Sequence, residues 1–401
     1  MTGTGEQELT AHLFRRQAGR IVASLARAFG SQHLQLIEDS VQDAFIRALQ
    51  LWPFQGMPEN PAAWITLAAR NRTLDELRRV RAVSADFDFE RAAAPSKRDA
   101  EFDDDLALMF LCCHSSLSEE SQIALTLKVA CGFSVGEIAR ALLSQESTVA
   151  QRLVRAKRQI REQGLRMELP PVAEMQSRLE PLLRTIYLLF NEGYAATSGS
   201  DLVRKDLCDE ALRLALVVAD DARTGSGAAQ ALAALLSFQA ARLPARTDAA
   251  GSLVLLANQD RSLWDGRLIA QGLERMLRSM TGPLTPSHLE AEIASLHLVT
   301  PTDWGRMLSL YDDLHAMQPT PVVALNRAVA IAHVSGAESA IAALAQFEGD
   351  ASLRGYHLLP AVLGELWRRA GDSARATAYF ERAELLSRNE AERRFLAAKA
   401  R

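Results

Sequence analysis

Apolar side chains recur along this chain at intervals of three and four residues, the spacing of one face of an α-helix. After Glu146, for example, Val149, Leu153, Ala156 and Ile160 form a single apolar stripe. No alternating β-branched run is long enough for a strand, so the predicted fold class is all-α. Residues 8–82 are expected to hold three or four helices. Prolines break them at Trp52-Pro53 and at Glu59-Asn60-Pro61. In one of these helices Leu36, Val41, Ala44, Phe45 and Ala48 form the apolar face, and in the next Leu67, Leu74 and Leu77 share a side. Residues 83–104 carry an alanine-rich middle, Pro95 and clustered charges, the composition of a linker. A second helical module occupies 105–168 and is closed by Leu169-Pro170-Pro171. From 172 to 401 helix follows helix, punctuated at Gly193, Gly225, Pro244, Gly282-Pro283 and Pro319-Thr320-Pro321.

The last part contains a repeat. Leu363, Gly364, Trp367, Gly371, Ala376, Phe380 and Ala383 fall at tetratricopeptide spacings: a small residue where helices cross, then an aromatic, then Ala and Phe on the second helix. One period earlier Gly336 occupies the place of Gly371, in a degenerate copy over 322–347.

Composition narrows the class. With 401 residues, 48% hydrophobic and 23% charged, the chain suits two to four globular domains and argues against a disordered or disulfide-stapled protein. No apolar run reaches the ~18 residues of a membrane span, and Met1–Thr10 lacks the apolar core of a signal peptide. A cytoplasmic location without a membrane partner is expected. The four cysteines read as reduced thiols, and Cys112-Cys113-His114 begins an apolar stretch better suited to burial than to metal.

A net charge of −4 hides two basic clusters. Arg70, Arg72, Arg78, Arg79 and Arg81 stand against only Asp75 and Glu76. Arg140, Arg152, Arg155, Lys157, Arg158, Arg161 and Arg166 stand against Glu146 and Glu162. Between them runs an acidic stretch from Asp86 to Asp105. The second cluster reads as a helix-turn-helix. Ser134 and Glu137 have the spacing of a capping box, opening a short helix with Ile138, Ala141 and Leu142 on one side. After Leu143-Ser144-Gln145 the striped helix turns Ser147, Thr148, Gln151, Arg155 and Arg158 away from its apolar face. A recognition helix needs that division, with small polar and arginine side chains reaching bases and phosphates. A solvated bundle helix would look similar. In the first cluster, arginines are suited to phosphate contacts, Asn71 can make bidentate hydrogen bonds with a base and Trp64 can stack on an unpaired one. An arginine-rich surface helix is the plain alternative.

The order of these pieces resembles bacterial RNA polymerase sigma factors of the extracytoplasmic-function type. The resemblance covers about residues 8–168. It rests on Glu38-Asp39-x-x-Gln42-Asp43-x-Phe45, on Ala63-Trp64-Ile65 through Asp75-x-Leu77-Arg78-Arg79, and on Glu137-Ile138-Ala139 through Arg155-Ala156-Lys157. It implies a domain 2 over 8–82, an acidic linker over 83–104 leading toward the RNA exit channel, and a domain 4 over 105–168. Asp39, Gln42, Asp43, Phe45 and Arg47 would bind core polymerase (β and β′ subunits), the helix docking on the β′ clamp coiled coil. Trp64, Arg70, Asn71, Arg72, Asp75, Arg78, Arg79 and Arg81 would bind the −10 element of promoter DNA, Asn71 helping to hold a flipped base. Ser147, Thr148, Gln151, Arg152, Arg155 and Arg158 would read the −35 element. One departure is Gln145 where a better N-cap is usual, with Ser144 beside it.

Residues 172–401 resemble the subgroup with a tetratricopeptide-like C-terminal extension, which generally lacks a dedicated membrane anti-sigma partner. Phe190-Asn191-Glu192-Gly193-Tyr194, Asn258-Gln259-Asp260-Arg261-Ser262-x-Trp264-Asp265 and Tyr356-His357-Leu358-Leu359-Pro360 carry this likeness. Asp260, Arg261, Trp264 and Asp265 read either as a regulatory contact with a protein or intramolecular partner, or as an inter-helix ion-pair cluster with a packing Trp. Asn191, Glu192 and Tyr194 read as a turn after a helix end. No Gly-rich phosphate loop, zinc-protease motif or nucleophile elbow is present, so an enzyme and a cofactor are not expected. His288, Glu292 and His297 are spaced for a metal but are read as ordinary helical residues. The other class considered is a helical scaffold or peptide-binding protein with an incidental DNA-binding helix-turn-helix.

Overall fold

The structure is a computed structural model. It describes residues 17–81, 98–142, 144–196, 202–249, 251–350 and 353–401. Among the described residues the fold is all-α, with no strand, and Thr247 and Leu253 form an isolated bridge. The chain divides into two compact units, Met1–Thr185 and Ile186–Arg401.

The first unit begins with α1 (17–29), then α2 (Leu34–Gln55) and α3 (Pro61–Arg81). Asn60 receives the Ala63 backbone N–H at 3.0 Å on its Oδ1 and starts α3 one residue before Pro61. The break expected at Trp52-Pro53 does not occur. Helix α2 continues to Gln55, and Gly56, at φ 79°, ends it by donating to the Trp52 carbonyl at 2.9 Å. Proline is tolerated there because Leu49, whose carbonyl loses a donor, and Pro53 are both exposed, so water completes the bonding. On α3 the buried stripe is Ile65, Ala69, Thr73 and Leu77. Leu67, expected inside, is 55% exposed because it lies two residues, about 200°, round the helix from Ile65. Thr73 takes a core position by donating its hydroxyl to the Ala69 carbonyl at 2.9 Å. Trp52 and Trp64 meet edge to face, 5.7 Å apart, where α2 and α3 pack.

The second module comprises α4 (Arg98–Cys112), α5 (Glu119–Val129), α6 (Val135–Ala141) and α7 (Glu146–Glu162). Helix α4 starts inside the stretch read as linker. Asp104, buried, pairs with Arg27, and Asp105 pairs with Arg20 at 3.4 Å, so the acidic end of that stretch holds α1 rather than running free. Residues 82–97, the rest of the linker reading, lie outside the described residues. All four cysteines are free and buried; burial pushes the Cys113 thiol up to about 12, which suppresses the reactive thiolate.

Residues 165–171, which include Leu169-Pro170-Pro171, lie outside any helix, and α8 (Val172–Tyr194) begins after them; the division between the compact units falls within α8. Asn191, Glu192 and Tyr194 form its last turn, so they are helical rather than a turn beyond it. Gly193 is required there: a Cβ would lie 2.8 Å from the Cys208 backbone nitrogen, where α9 (Lys205–Asp220) crosses. Helix α10 (Gly227–Ala241) is buried nearly all round, with α9, α11 (Gly266–Arg278) and α12 (Pro286–Leu296) packed about it.

Helical hairpins follow: α13 (Trp304–Met317), α14 (Pro321–Val334), α15 (Ala337–Leu344), α16 (Leu358–Arg369), α17 (Ser373–Leu386) and α18 (Glu390–Ala400). The α16–α17 pair has the expected repeat packing, with Ala376, Phe380 and Ala383 buried and a Cβ at Gly364 placed 3.0 Å from the Phe380 ring. Gly336 and Gly371, at φ 90° and 86°, make equivalent turns one repeat apart.

Candidate nucleic-acid interface

In α6–α7, both capping-box bonds form. The Ser134 backbone N–H donates to Glu137 Oε2 at 2.8 Å, and the Glu137 N–H to Ser134 Oγ at 3.2 Å. Val149, Leu153, Ala156 and Ile160 are buried as the stripe demands. This leaves Ser147, Gln151, Arg155 and Arg158 exposed, with Thr148 and Arg152 half-buried at the edge. Gln145 is the N-cap, and its side chain makes no capping bond.

On α3, Asn71, Asp75, Arg78 and Arg79 are exposed, while Trp64, Arg70 and Arg72 are half-buried. Arg79 bonds Glu76 at 2.9 Å and Arg78 approaches Asp75 at 3.9 Å. These exposed pairs exchange cheaply for phosphate contacts. The Arg81 side chain lies outside the described residues. Arg72 pairs with Asp43 at 2.6 Å, joining α3 to α2.

On α2, Asp39, Gln42 and Arg47 point outward, and Gln35 donates to Asp39 at 2.9 Å. Phe45 corrects the sequence expectation. It is 1% exposed, part of the α2 core face, and cannot itself touch a partner. The apolar residues that do stand outside were missed: Ile46, Leu49 and, 90% exposed, Phe54. Their signal was apolar character off the helical stripe.

Besides the α1–α4 ion pairs, two further groups join the modules, and neither was anticipated. Lys157, on the inner edge of α7, pairs with Glu38 of α2 at 2.6 Å and donates to Gln35 at 3.0 Å. Burial raises the Glu38 carboxyl above its usual range, Lys157 only partly opposing it. Ser31 also donates its hydroxyl to the Leu165 carbonyl.

In the extension, Asp260 accepts from the Ser262 backbone N–H at 2.9 Å and hydroxyl at 2.7 Å. Asp265 caps α11 through Arg267 and Leu268 at 2.8 and 3.2 Å. These bonds cap local helices and do not make the inter-helix ion-pair cluster considered from sequence. Arg261 lies over Trp264, 4.9 Å from its ring centroid, and donates to the Leu298 carbonyl at 3.1 Å. His288 bonds Thr285 and the Ser279 carbonyl, and Glu292 pairs with Arg306. Among the described residues no group of His, Cys, Asp or Glu is arranged to hold a metal, and no helix is long and apolar enough to cross a membrane.

Residues 14–83 match sigma-70 region 2, residues 107–160 match sigma-70 region 4, and residues 178–280 match a family of unknown function, DUF6596. An uncharacterized protein of Rhizobium meliloti (strain 1021) is 37% identical over 416 residues, covering 99% of this chain and 95% of its own length. No solved structure matches. The two sigma-70 regions are those of a transcription initiation factor and not of an enzyme. The chain belongs to the sigma-70 family as a sigma factor of the extracytoplasmic-function kind, carrying a helical C-terminal extension.

Proposed function

We propose that this sigma factor binds core RNA polymerase through α2 and directs promoter-specific initiation in the cytoplasm, with a C-terminal extension that regulates it. The observation that carries the reading is the division of α3 and α7. Each buries one face completely and presents arginine with Asn or Gln on the other. Polar residues supply base contacts, arginines supply phosphate contacts, and the buried faces fix both in register. Asp39, Gln42, Asp43 and Arg47 on α2, with Ile46 and Leu49 beside them, would meet the β′ clamp; Phe45 contributes by shaping the helix. Trp64 through Arg81 would hold the opened −10 strand, and Ser147 through Arg158 the −35 duplex. The functional segments would be 8–82, 105–168 and 172–401, with 83–104 between the first two.

The −35 and −10 elements lie about 25 base pairs apart, roughly 85 Å at about 3.4 Å each. The Lys157–Glu38 contact ties α7 to α2, so promoter binding requires the first unit to open. The test is reconstituted transcription, with purified core polymerase, the full chain and a library of genomic fragments. The reading expects discrete start sites that appear only with both proteins. A helical scaffold would add nothing to core, and an unchanged transcript pattern would select that alternative.

A further inference from the structure

Buried arginine is costly without a counter-charge, and two of the three buried arginines among the described residues have one. Arg178 pairs with Glu174 at 2.7 Å, and Arg275 bonds both oxygens of Asp220. Arg242 is the third. It is 8% exposed, and neither group it bonds is a carboxylate: its Nη2 donates to the Tyr194 hydroxyl at 2.6 Å and to Gln239 Oε1 at 3.0 Å, while its Nε has no partner.

A second guanidinium lies alongside. Arg246 stacks on the Tyr194 ring, 3.7 Å from its centroid, and its buried Nε also lacks a partner. Phe190 stacks on the same tyrosine at 5.8 Å and helps fix its plane. The loop Gln259–Asp265 is fastened beside them, since the Asp265 N–H donates to the Ala241 carbonyl at 2.9 Å. It brings Arg261 on its exposed side, together with two more buried atoms without partners, Gln259 Oε1 and Trp264 Nε1. His297 lies in the field of Arg242 and Arg261. Burial, then Arg242 and Arg261, depress it to about 4, so it is neutral near pH 7. Burial pushes the Tyr194 hydroxyl up, but Arg242 and Arg246 outweigh it and hold the group below its ordinary value; a phenolate would offset one charge of three. Glu290, whose field reaches Tyr311 as Arg242's does, accepts from Tyr187 at 3.2 Å and is raised by burial to about 7.

No carboxylate pairs with Arg242, Arg246 or Arg261 among the described residues. We propose that the extension carries a binding site for a small oxyanion, a carboxylate or a phosphate, built from Arg242, Arg246 and Arg261 around Tyr194. Guanidinium forks match the paired oxygens of either group. Stacking on Tyr194 and Trp264 holds two of the forks in advance, which lowers the ordering cost of binding. The Trp264 indole N–H would be a further donor. The site also gives a purpose to two sequence strings, around Tyr194 and around Asp260–Asp265, that promoter recognition leaves unused. The aspartates set the loop's shape, and Arg261 meets the anion.

The test titrates the full chain with inorganic phosphate in one arm and succinate in another, with sodium chloride at matched ionic strength as reference. Binding is followed by calorimetry and melting temperature. At least one oxyanion should bind saturably and raise the melting temperature beyond the chloride reference, and the two arms identify which. Arg246→Gln should weaken that binding by about tenfold or more. Arg261→Gln, at an exposed position that leaves the core intact, should also weaken it. Arg278→Gln, outside the cluster, should bind as the parent does. Failure of both oxyanions to exceed chloride would overturn the proposal. So would binding as tight as the parent's by the Arg246 and Arg261 variants.

Discussion

Replacing Lys157 by Met removes the cation from a contact in which Lys157 and Glu38 side chains are only 13% and 6% exposed. Breaking a buried pair by removing one partner costs about 3–5 kcal/mol, mostly from the charge left behind. The low end applies here. Lys128 also lies in the field of Glu38, and Glu38, already raised above its ordinary 4.5, takes up a proton more readily than most carboxylates. Replacing both partners, Glu38→Leu with Lys157→Met, should recover the loss and reach neutral or about 1–4 kcal/mol of gain, because the desolvation of the pair itself is then removed. Hydrogen exchange of the α2 and α7 amides in the full chain measures the opening free energy for each variant. The singles should lose protection and the double should regain it. Small, additive effects in all three would refute the view that this pair fastens the two modules. A modest loss should also speed association of the Lys157→Met variant with core polymerase, since α7 must part from α2 before promoter DNA is spanned.

Asn71→Ala should spare closed-complex formation yet slow promoter opening. A flipped base needs compensation for an unstacking cost of a few kcal/mol, and a pre-melted template should restore the rate. If duplex and pre-melted templates show equal defects, Asn71 has no such role. Arg155→Ala, exposed on α7, should reduce the salt slope of promoter binding by about one if Arg155 contacts phosphate, or relax sequence preference at one −35 position if it reads a base; binding assays across salt and sequence distinguish these. Glu290 titrates near 7 in the folded chain against 4.5 ordinarily, so its contribution to stability is complete below 4.5 and lost as pH rises to about 7. His297, depressed from 6.5 to about 4, works the other way as pH falls, and masks part of that slope. Glu290→Gln should therefore raise the melting temperature at pH 8 relative to the parent, by up to about 3 kcal/mol of stability, and the gap should close toward pH 4.5.

The stripe of α7 and its capping box were legible because both are local: one helix's spacing decides which side is buried. The same holds for the repeat, where Gly364 and Phe380 state their crossing in the sequence. What was not legible depended on partners far along the chain. The spacing already placed Phe45 on the apolar face, and that face is the core; only its motif company with Asp39, Gln42 and Arg47 suggested a partner contact. Leu67 looked apolar and therefore inner, yet Thr73 fills the stripe by satisfying its own hydroxyl. The acids at the end of the linker stretch looked like a solvated run until Arg20 and Arg27 appeared opposite them. Lys157 belonged by composition to the second basic cluster, and only the fold turns it to Glu38. In the extension, the sequence marked Arg261 and Trp264, whereas Arg242 and Arg246 lay in no motif and became prominent only through missing counter-charges.

The central claim is that promoter recognition belongs to the complex with core polymerase. It is tested most directly by footprinting one promoter fragment with the free chain and with the chain plus core, across salt. The free chain should show only salt-sensitive, nonspecific affinity, on the order of 10⁻⁴–10⁻⁶ M at physiological salt. With core, two protected windows should appear about 25 base pairs apart, one across the −35 duplex and one across an opened −10 element. A tight, sequence-specific footprint by the free chain at physiological salt would contradict the account.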